Sequence, residues 1–276
     1  TFAELSTDLS GRYVNFRINP LSFKEIVEYT NTKEKDYEKL LYDIFHWGGL
    51  PQRFLFDRDE DKINYLTSVY DSIILKDVVE RLGIKDITSF NKVFQYLLDT
   101  ESREFSRDNV IDYLKKEHHE IANDTLYSYL EALSSTFILN KVYRHDVHGK
   151  SILKTLNKYY ANDLGIKQVK INNTEINYSV ALENIVYNDL IGKDYQVFVG
   201  KTRKGEIDFI ASKTGKFKYI QVCYDLSNEE TRNREFSAFK EIDSNEKYII
   251  TLTKKDYSCD GIKQINIFDF LMNDDF

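Results

Sequence analysis

The sequence predicts an α+β, multi-domain chain, and three changes of pattern along its 276 residues support this prediction. Apolar residues recur at helical spacing through residues 21–101, which favours an all-helical region. Residues 102–165 combine two short helical patterns with a hairpin pattern, the order found in a winged helix-turn-helix. Residues 166–276 alternate helical and strand patterns, which favours an α/β domain with a mixed sheet.

The first twenty residues are too short to fold alone. They have the pattern of a helix end, a glycine C-cap at Gly11, and a strand that stops at Pro20. We therefore predict that residues 1–20 are the end of a domain that precedes Thr1.

The predicted winged helix-turn-helix is bounded by recognisable caps. Ser106 is a predicted N-cap for its first helix, and Asn123 or Asp124 for its second. The strand-like residues 138–144 and 156–161 would then form a hairpin that turns near Gly149.

Composition restricts the class of protein. A content of 42% hydrophobic and 30% charged residues is typical of a soluble globular chain, and the formal charge of −7 disfavours a protein that coats nucleic acid non-specifically. Two cysteines are too few for a disulfide framework, and no apolar run is long enough to cross a bilayer. We predict a cytoplasmic protein without a membrane partner.

The most informative residues lie in two adjacent predicted strands, 206–211 and 219–224. If side chains alternate regularly, Glu206 and Asp208 share one face with Gln221 and Cys223, while the apolar residues fill the other face. Carboxylates on an otherwise apolar sheet require a compensating cation, a basic partner or water. This pattern predicts a functional site, although a solvated sheet rim is the simpler alternative.

Several motifs resemble the C-terminal part of a prokaryotic AAA-type ATPase family whose tail is a domain of unknown function. They are Leu9-Ser10-Gly11-Arg12-Tyr13, residues 20–25, Gly48-Gly49-Leu50-Pro51, residues 74–81 and residues 206–224. The resemblance covers essentially the whole chain and implies an upstream ATPase domain as partner, with residues 1–20 as its last helix and strand. ATP would bind only in that upstream domain, because no phosphate-binding loop motif occurs here.

Residues 166–276 also resemble the PD-(D/E)XK nuclease fold. The resemblance implies that Glu183, Asp208 and Gln221 are the catalytic residues and the ligands of a Mg²⁺ or Mn²⁺ ion. Cys223 stands where the family has a lysine, whose charge would activate water or stabilise the phosphoryl group. Lys204 or Lys218 is a candidate for a migrated cation.

Basic residues predict contact with nucleic acid in two places. Lys201, Arg203, Lys204 and Lys218 belong to the segment around the predicted acidic site. Lys141 and Arg144 lie on the predicted wing hairpin, whereas the second helix offers few basic groups. Wing-mediated DNA contact and packing against a neighbouring domain are both compatible with this pattern.

Three functions follow from these observations. The first is a nucleic-acid-associated, nuclease-like module coupled to the upstream ATPase. The second is a degenerate nuclease fold that binds a protein partner or regulates one. The third is an active metal-dependent DNA nuclease.

Overall fold

The computed structural model describes residues 16–149, 151–171, 175–203, 205–274 and 276. Most of the predicted ATPase remnant, residues 1–20, therefore lies outside the described residues, as do Lys150 and Lys204. Within the described residues the chain is a mixed α/β protein, as the sequence predicts at that level.

Helices make up the first part of the chain and then alternate with strands. The α-helices are α1 (Phe23–Thr30), α2 (Tyr37–Trp47), α3 (Asp59–Ile73), α4 (Ile87–Asp99), α5 (Arg107–Lys116), α6 (Asn123–Ser135), α7 (Leu164–Ile171), α8 (Tyr178–Gly192), α9 (Glu229–Ser237) and α10 (Ile267–Met272). A π-helix, Ile74–Arg81, extends α3, and short 3₁₀ turns occupy Glu34–Asp36, Pro51–Leu55 and Ala238–Glu241. The predicted caps are partly confirmed: Ser106 accepts a hydrogen bond from the backbone of α5, whereas α6 has no side-chain cap.

Seven strands of the described chain form one mixed sheet in the order β2-β1-β3-β4-β5-β6-β7. The strands are β1 (Leu139–Asp146), β2 (Ser151–Ala161), β3 (Gln196–Lys201), β4 (Glu206–Lys213), β5 (Lys216–Cys223), β6 (Lys247–Thr251) and β7 (Ile262–Asn266). The pairs β1–β2, β3–β4 and β4–β5 are antiparallel, and the pairs β1–β3, β5–β6 and β6–β7 are parallel.

The hairpin β1–β2 is part of this sheet. Its strand β1 pairs with β3, so Arg144 lies opposite Val199 and Asp146 opposite Lys201. Hydrogen bonds therefore cross the predicted boundary between residues 165 and 166. The domain limits 21–101, 102–165 and 166–276 stay predictions. Residues 102–165 and 166–276 share the sheet, and residues 21–101 pack with both in common cores.

In the part of the chain that the structure describes, three apolar cores hold the elements together. One packs α1, α2 and α8 against the sheet, and a second joins α3–α7 to the β1–β2 hairpin. The third lies under α9 and its 3₁₀ extension. At roughly 25 cal/mol per Å² of buried apolar surface, such cores supply the main stabilising free energy.

A glycine turn ties the helical region to the sheet. Asp163, after β2, accepts a 2.8 Å hydrogen bond from the Gly49 amide and a 3.1 Å bond from the Ile166 amide. Gly48 has φ +69°, and a Cβ there would lie 2.2 Å from Asp163 Oδ1. Only glycine satisfies both the backbone conformation and the close approach.

Candidate functional site

The regular alternation of β4 breaks at Asp208. Phe198 of β3 lies opposite Ile210, whereas Gly200 lies opposite Ile207, so β4 contains one extra residue between these pairs. Ile207 consequently packs in the core under α9, while Phe209 packs in the core beneath α8. The expectation that Ile207 and Phe209 share a face is wrong, because a β-bulge re-aims the residues around Asp208.

Asp208 and Gln221 hold the two strands together at the bulge. The Asp208 amide donates a 2.7 Å hydrogen bond to Gln221 Oε1, and the Val222 amide donates a 2.8 Å bond to Asp208 Oδ2. Gln221 Nε2 in turn donates to Glu235 of α9 at 2.9 Å. Side chains thus replace part of the backbone ladder, and this brings Asp208 and Gln221 together as predicted.

A lysine from β2 provides the positive charge of the site. Lys158 Nζ lies 2.7 Å from Glu206 Oε1 and 3.6 Å from Glu183 Oε1, and only 2% of its side chain is exposed. Asp208 also acts electrostatically on this ammonium group. We call Lys158, Glu183, Glu206 and Asp208 the carboxylate cluster. It joins Glu183 of α8 to Asp208 of β4, as the nuclease resemblance implies.

Glu183 is fixed from two directions. Tyr160, two residues after Lys158, donates a 2.6 Å hydrogen bond from its hydroxyl to Glu183 Oε1. Asn184, the next residue of α8, donates a 2.9 Å bond from Nδ2 to the Ala161 carbonyl. These contacts dock α8 on β2, so the Glu183 carboxylate faces the sheet.

The cluster is incompletely neutralised. Burial raises the pKa of Glu183, and Glu206 adds to the effect while Lys158 and Tyr160 oppose it. Burial and the charge of Glu183 raise the pKa of Asp208 well above its usual value. Burial lowers the pKa of Lys158, but the three carboxylates outweigh burial and raise it overall. One ammonium therefore faces three carboxylates in a nearly dry site, where further positive charge would be favourable.

Cys223 takes no part in this cluster. It is 6% exposed and packs in the core under α9. Burial raises the pKa of its thiol to about 12, so the thiol stays protonated and inert. A cation does occur at the site, but it comes from Lys158, a residue that the sequence analysis assigned only to the hairpin.

The predicted basic residues lie in different places. Lys201 is opposite Glu206 in the β3–β4 ladder, and the Arg203 amide donates to Glu241 at 2.9 Å, so these two flank the cluster. Lys218 pairs with Glu246 at 3.5 Å, about 10 Å along β5 from Gln221.

The two basic residues of the hairpin differ in their exposure to solvent. Lys141 is exposed, whereas Arg144 is 3% exposed and pairs with Glu104 at 2.7 Å. Only Lys141 of the two is presented to solvent. Lys204 lies outside the described residues.

The cluster in this arrangement does not fit a metal ion. Among the described residues, no three or more His, Cys, Asp and Glu side chains are grouped so that they can hold one. Each predicted ligand, Glu183, Asp208 and Gln221, already has an oxygen in a hydrogen bond with another part of the protein. Binding of Mg²⁺ or Mn²⁺ would require some of these contacts to open, and it stays a prediction.

The sequence contains a weak signal for Lys158. In β2, Lys158 and Tyr160 share a face because they are two residues apart, and Tyr160 is completely buried. A lysine beside a buried tyrosine on an apolar strand requires a carboxylate partner. That partner lies in a later segment. The sequence pattern alone therefore shows that Lys158 needs a carboxylate partner, but not which residue provides it.

No helix in the described part of the chain is long and apolar enough to cross a membrane. The family described as "Domain of unknown function (DUF8612)" matches residues 38–176. No solved structure matches the chain.

Two curated relatives match nearly all of the chain. An uncharacterized protein of Haemophilus influenzae is 35% identical over 276 residues, which cover 98% of this chain and 67% of the relative. An uncharacterized protein of Methanocaldococcus jannaschii is 28% identical over 285 aligned residues, covering 96% of this chain and 62% of the relative. The chain thus spans about two thirds of the length of these relatives. It belongs to the family of the DUF8612 domain of unknown function.

Proposed function

We propose that this chain is a nucleic-acid-associated, nuclease-like module that acts together with an upstream AAA-type ATPase domain. The observation that carries the proposal is the carboxylate cluster: Glu183 and Asp208, distant in sequence, converge on a buried lysine. Glu183 lies on α8, Asp208 on β4 and Gln221 on β5, and the PD-(D/E)XK resemblance implies one site built from a helix carboxylate and residues of two strands. The ATPase partner rests on the sequence resemblance alone.

The chemistry of the cluster suits recognition of a phosphodiester with a cation. Lys158 can donate hydrogen bonds to phosphate oxygens and offset charge that develops on them. Glu183 and Asp208 carry the hard oxygen donors that a divalent ion such as Mg²⁺ prefers, and such an ion would offset the remaining negative charge once the contacts that now occupy these oxygens open. Glu206, with 32% of its side chain exposed, is the most open member and has Lys201 as its strand neighbour.

Cleavage and binding assays test this proposal. We expect the wild-type chain to bind oligonucleotides in the presence of Mg²⁺ or Mn²⁺, and Asp208→Asn to weaken that binding. Asp112→Asn, which neutralises an exposed carboxylate of α5, is the matched control and should behave like wild type. Nicking of plasmid DNA that Asp208→Asn abolishes would establish the active nuclease, and absence of any nucleic-acid binding would refute the proposal.

A regulatory, protein-binding domain is the second candidate. It is favoured by the closed state of the cluster, since Lys158 is 2% exposed and is already paired within the chain. If the cluster serves only structure, Mg²⁺ or Mn²⁺ leaves the melting temperature unchanged in both wild type and Asp208→Asn. A metal-dependent rise in melting temperature that Asp208→Asn removes would support the first candidate.

A further inference from the structure

A groove lies on the opposite side of β2 from the carboxylate cluster, between the start of α5, the helix α6 and the strands β1 and β2. Its volume is about 630 Å³, within the range of about 300–1,000 Å³ found for ligand sites. We call its central residues Arg107, Tyr127, Lys141, Tyr143 and Tyr159 the tyrosine groove.

Three tyrosines supply the main surface. Tyr127 and Tyr143 are 52% and 40% exposed, whereas Tyr159 is 4% exposed. All three line the same groove. Burial raises the pKa of Tyr159, and the phenols of Tyr143 and Tyr127 raise it further. None of these hydroxyls has a hydrogen-bond partner in the described residues, and the hydroxyl of Tyr159 stays accessible to solvent although the residue is only 4% exposed.

Two cations lie beside the phenols. Lys141 Nζ is 5.1 Å from the centre of the Tyr143 ring. Arg107 is the first residue of α5, at the end of the helix where the macrodipole favours anions, and its guanidinium also pairs with Asp108 at 2.6 Å. Asp108 and Glu131 also line the groove and balance its two positive charges.

This balance of charge excludes a surface that holds duplex DNA mainly by its phosphates, because such binding requires several uncompensated cations. Exposed aromatic rings next to a few cations instead match the way single strands are bound, with bases stacked on rings and phosphates held beside them. Phosphate oxygens accept hydrogen bonds only, which suits a group of hydroxyl, ammonium and guanidinium donors.

We propose that the tyrosine groove binds single-stranded nucleic acid, with a base stacked on Tyr127 or Tyr143 and a phosphate held by Lys141, Arg107 and the phenols. The inference rests on the proposed nucleic-acid association and assigns the contact to a surface outside the carboxylate cluster. It also limits the contact to single strands.

The test is fluorescence anisotropy of a short labelled oligothymidylate, and of a duplex of equal length, with the 276-residue chain. We expect Tyr127→Ala and Tyr143→Ala each to weaken single-strand binding about tenfold or more. Lys141→Met should lower the slope of log affinity against log salt by about 0.7, the value for one phosphate contact in a single strand. Tyr29→Ala, a 60% exposed tyrosine of α1, is the matched control and should change nothing.

Photocrosslinking checks the site without any substitution. An oligonucleotide with a photoreactive pyrimidine should crosslink to Tyr127 or Tyr143, and crosslinks only elsewhere would overturn the assignment. Single-strand binding that the two tyrosine variants leave intact, or tighter binding of the duplex, also overturns it but leaves the proposed nucleic-acid association standing. Absence of binding to either oligonucleotide overturns both.

Discussion

The carboxylate cluster and the tyrosine groove lie on opposite sides of one strand and differ in how their polar groups are satisfied. In the cluster, Lys158 and Tyr160 are both paired with carboxylates of the chain. In the groove, the hydroxyl of Tyr159 has no partner among the described residues. Both arrangements come from β2, because alternate residues of a strand face opposite sides.

This difference in hydrogen-bond and ion pairing determines what each site contributes to the stability of the fold. A largely buried ion cluster whose members pair with one another stabilises or specifies the fold until a ligand replaces one of its contacts. A groove whose hydroxyls lack protein partners loses little when they are removed, so its polar groups are available for a ligand. Changes in the cluster should therefore alter the stability of the fold, and changes to the hydroxyls of the groove should leave it nearly unchanged.

The largest effect is expected from Lys158→Met. The variant leaves Glu183, Glu206 and Asp208 together without a cation, and loss of one partner of a buried ion pair costs about 3–5 kcal/mol. The free energy of unfolding, measured with urea, should fall by that amount near neutral pH. Lys141→Met, an exposed lysine on the preceding strand, is the control and should stay within about 0.5 kcal/mol of wild type.

The loss in Lys158→Met should also shrink at lower pH, because protonation of the carboxylates removes the repulsion between them. A loss below about 1 kcal/mol at neutral pH would contradict the assignment of Lys158 as the cation of the cluster.

Two neighbouring tyrosines provide the next comparison. Tyr160→Phe removes a 2.6 Å hydrogen bond to the Glu183 carboxylate, and hydrogen bonds to charged groups are worth about 1.5–3 kcal/mol. Tyr159→Phe removes a hydroxyl that has no partner in the described chain, so the free energy of unfolding should change by less than about 0.5 kcal/mol. Equal losses in the two variants would show that the Tyr159 hydroxyl is also paired.

The sequence predicted some parts of this molecule and not others, for physical reasons. Helical spacing, caps such as Ser106 and the strand patterns of β4 and β5 depend on neighbouring residues, and the structure has these elements. The convergence of Glu183 with Asp208 was predicted only through a family resemblance. Neither the bulge at Asp208 nor the carboxylate partners of Lys158 followed from the sequence, because both depend on pairing between distant segments.

The tyrosine groove was not predicted at all. Tyr127, Tyr143 and Tyr159 come from three different elements, and each fits an ordinary amphipathic pattern on its own. Their convergence depends on how α6 packs on the β1–β2 hairpin, and the local sequence around each tyrosine does not predict that packing.

A smaller effect of opposite sign is expected for Asp208→Asn. The pKa of Asp208 is raised in the folded chain, so its contribution to stability is complete below the unfolded pKa and is lost as the pH rises through the folded pKa. The side-chain amide of the variant does not ionise, so no charge is buried at this position, and Lys158 still pairs with the two other carboxylates of the cluster. At about pH 8 the variant should therefore be more stable than wild type, and the gain should vanish near pH 4.

Urea unfolding across that pH range measures the effect, and Asp112→Asn, an exposed carboxylate, should show no such trend. A variant that is less stable than wild type at about pH 8 would mean that the ionised Asp208 is a net stabilising member of the cluster, contrary to the sign argued from its burial.

The smallest effect concerns the backbone at the edge of the groove. Between the pairs Val142/Lys158 and Arg144/Leu153, β2 has four residues where β1 has one, and within this bulge Leu156 has φ +56°. Leucine in that conformation is strained by about 1 kcal/mol or more, and its side chain is 42% exposed, so little packing offsets the strain. Glycine relieves the strain but increases the entropy of the unfolded chain. Leu156→Gly should therefore gain up to about 0.5 kcal/mol in urea unfolding, whereas Leu153→Gly, in regular strand geometry, should lose about 1 kcal/mol.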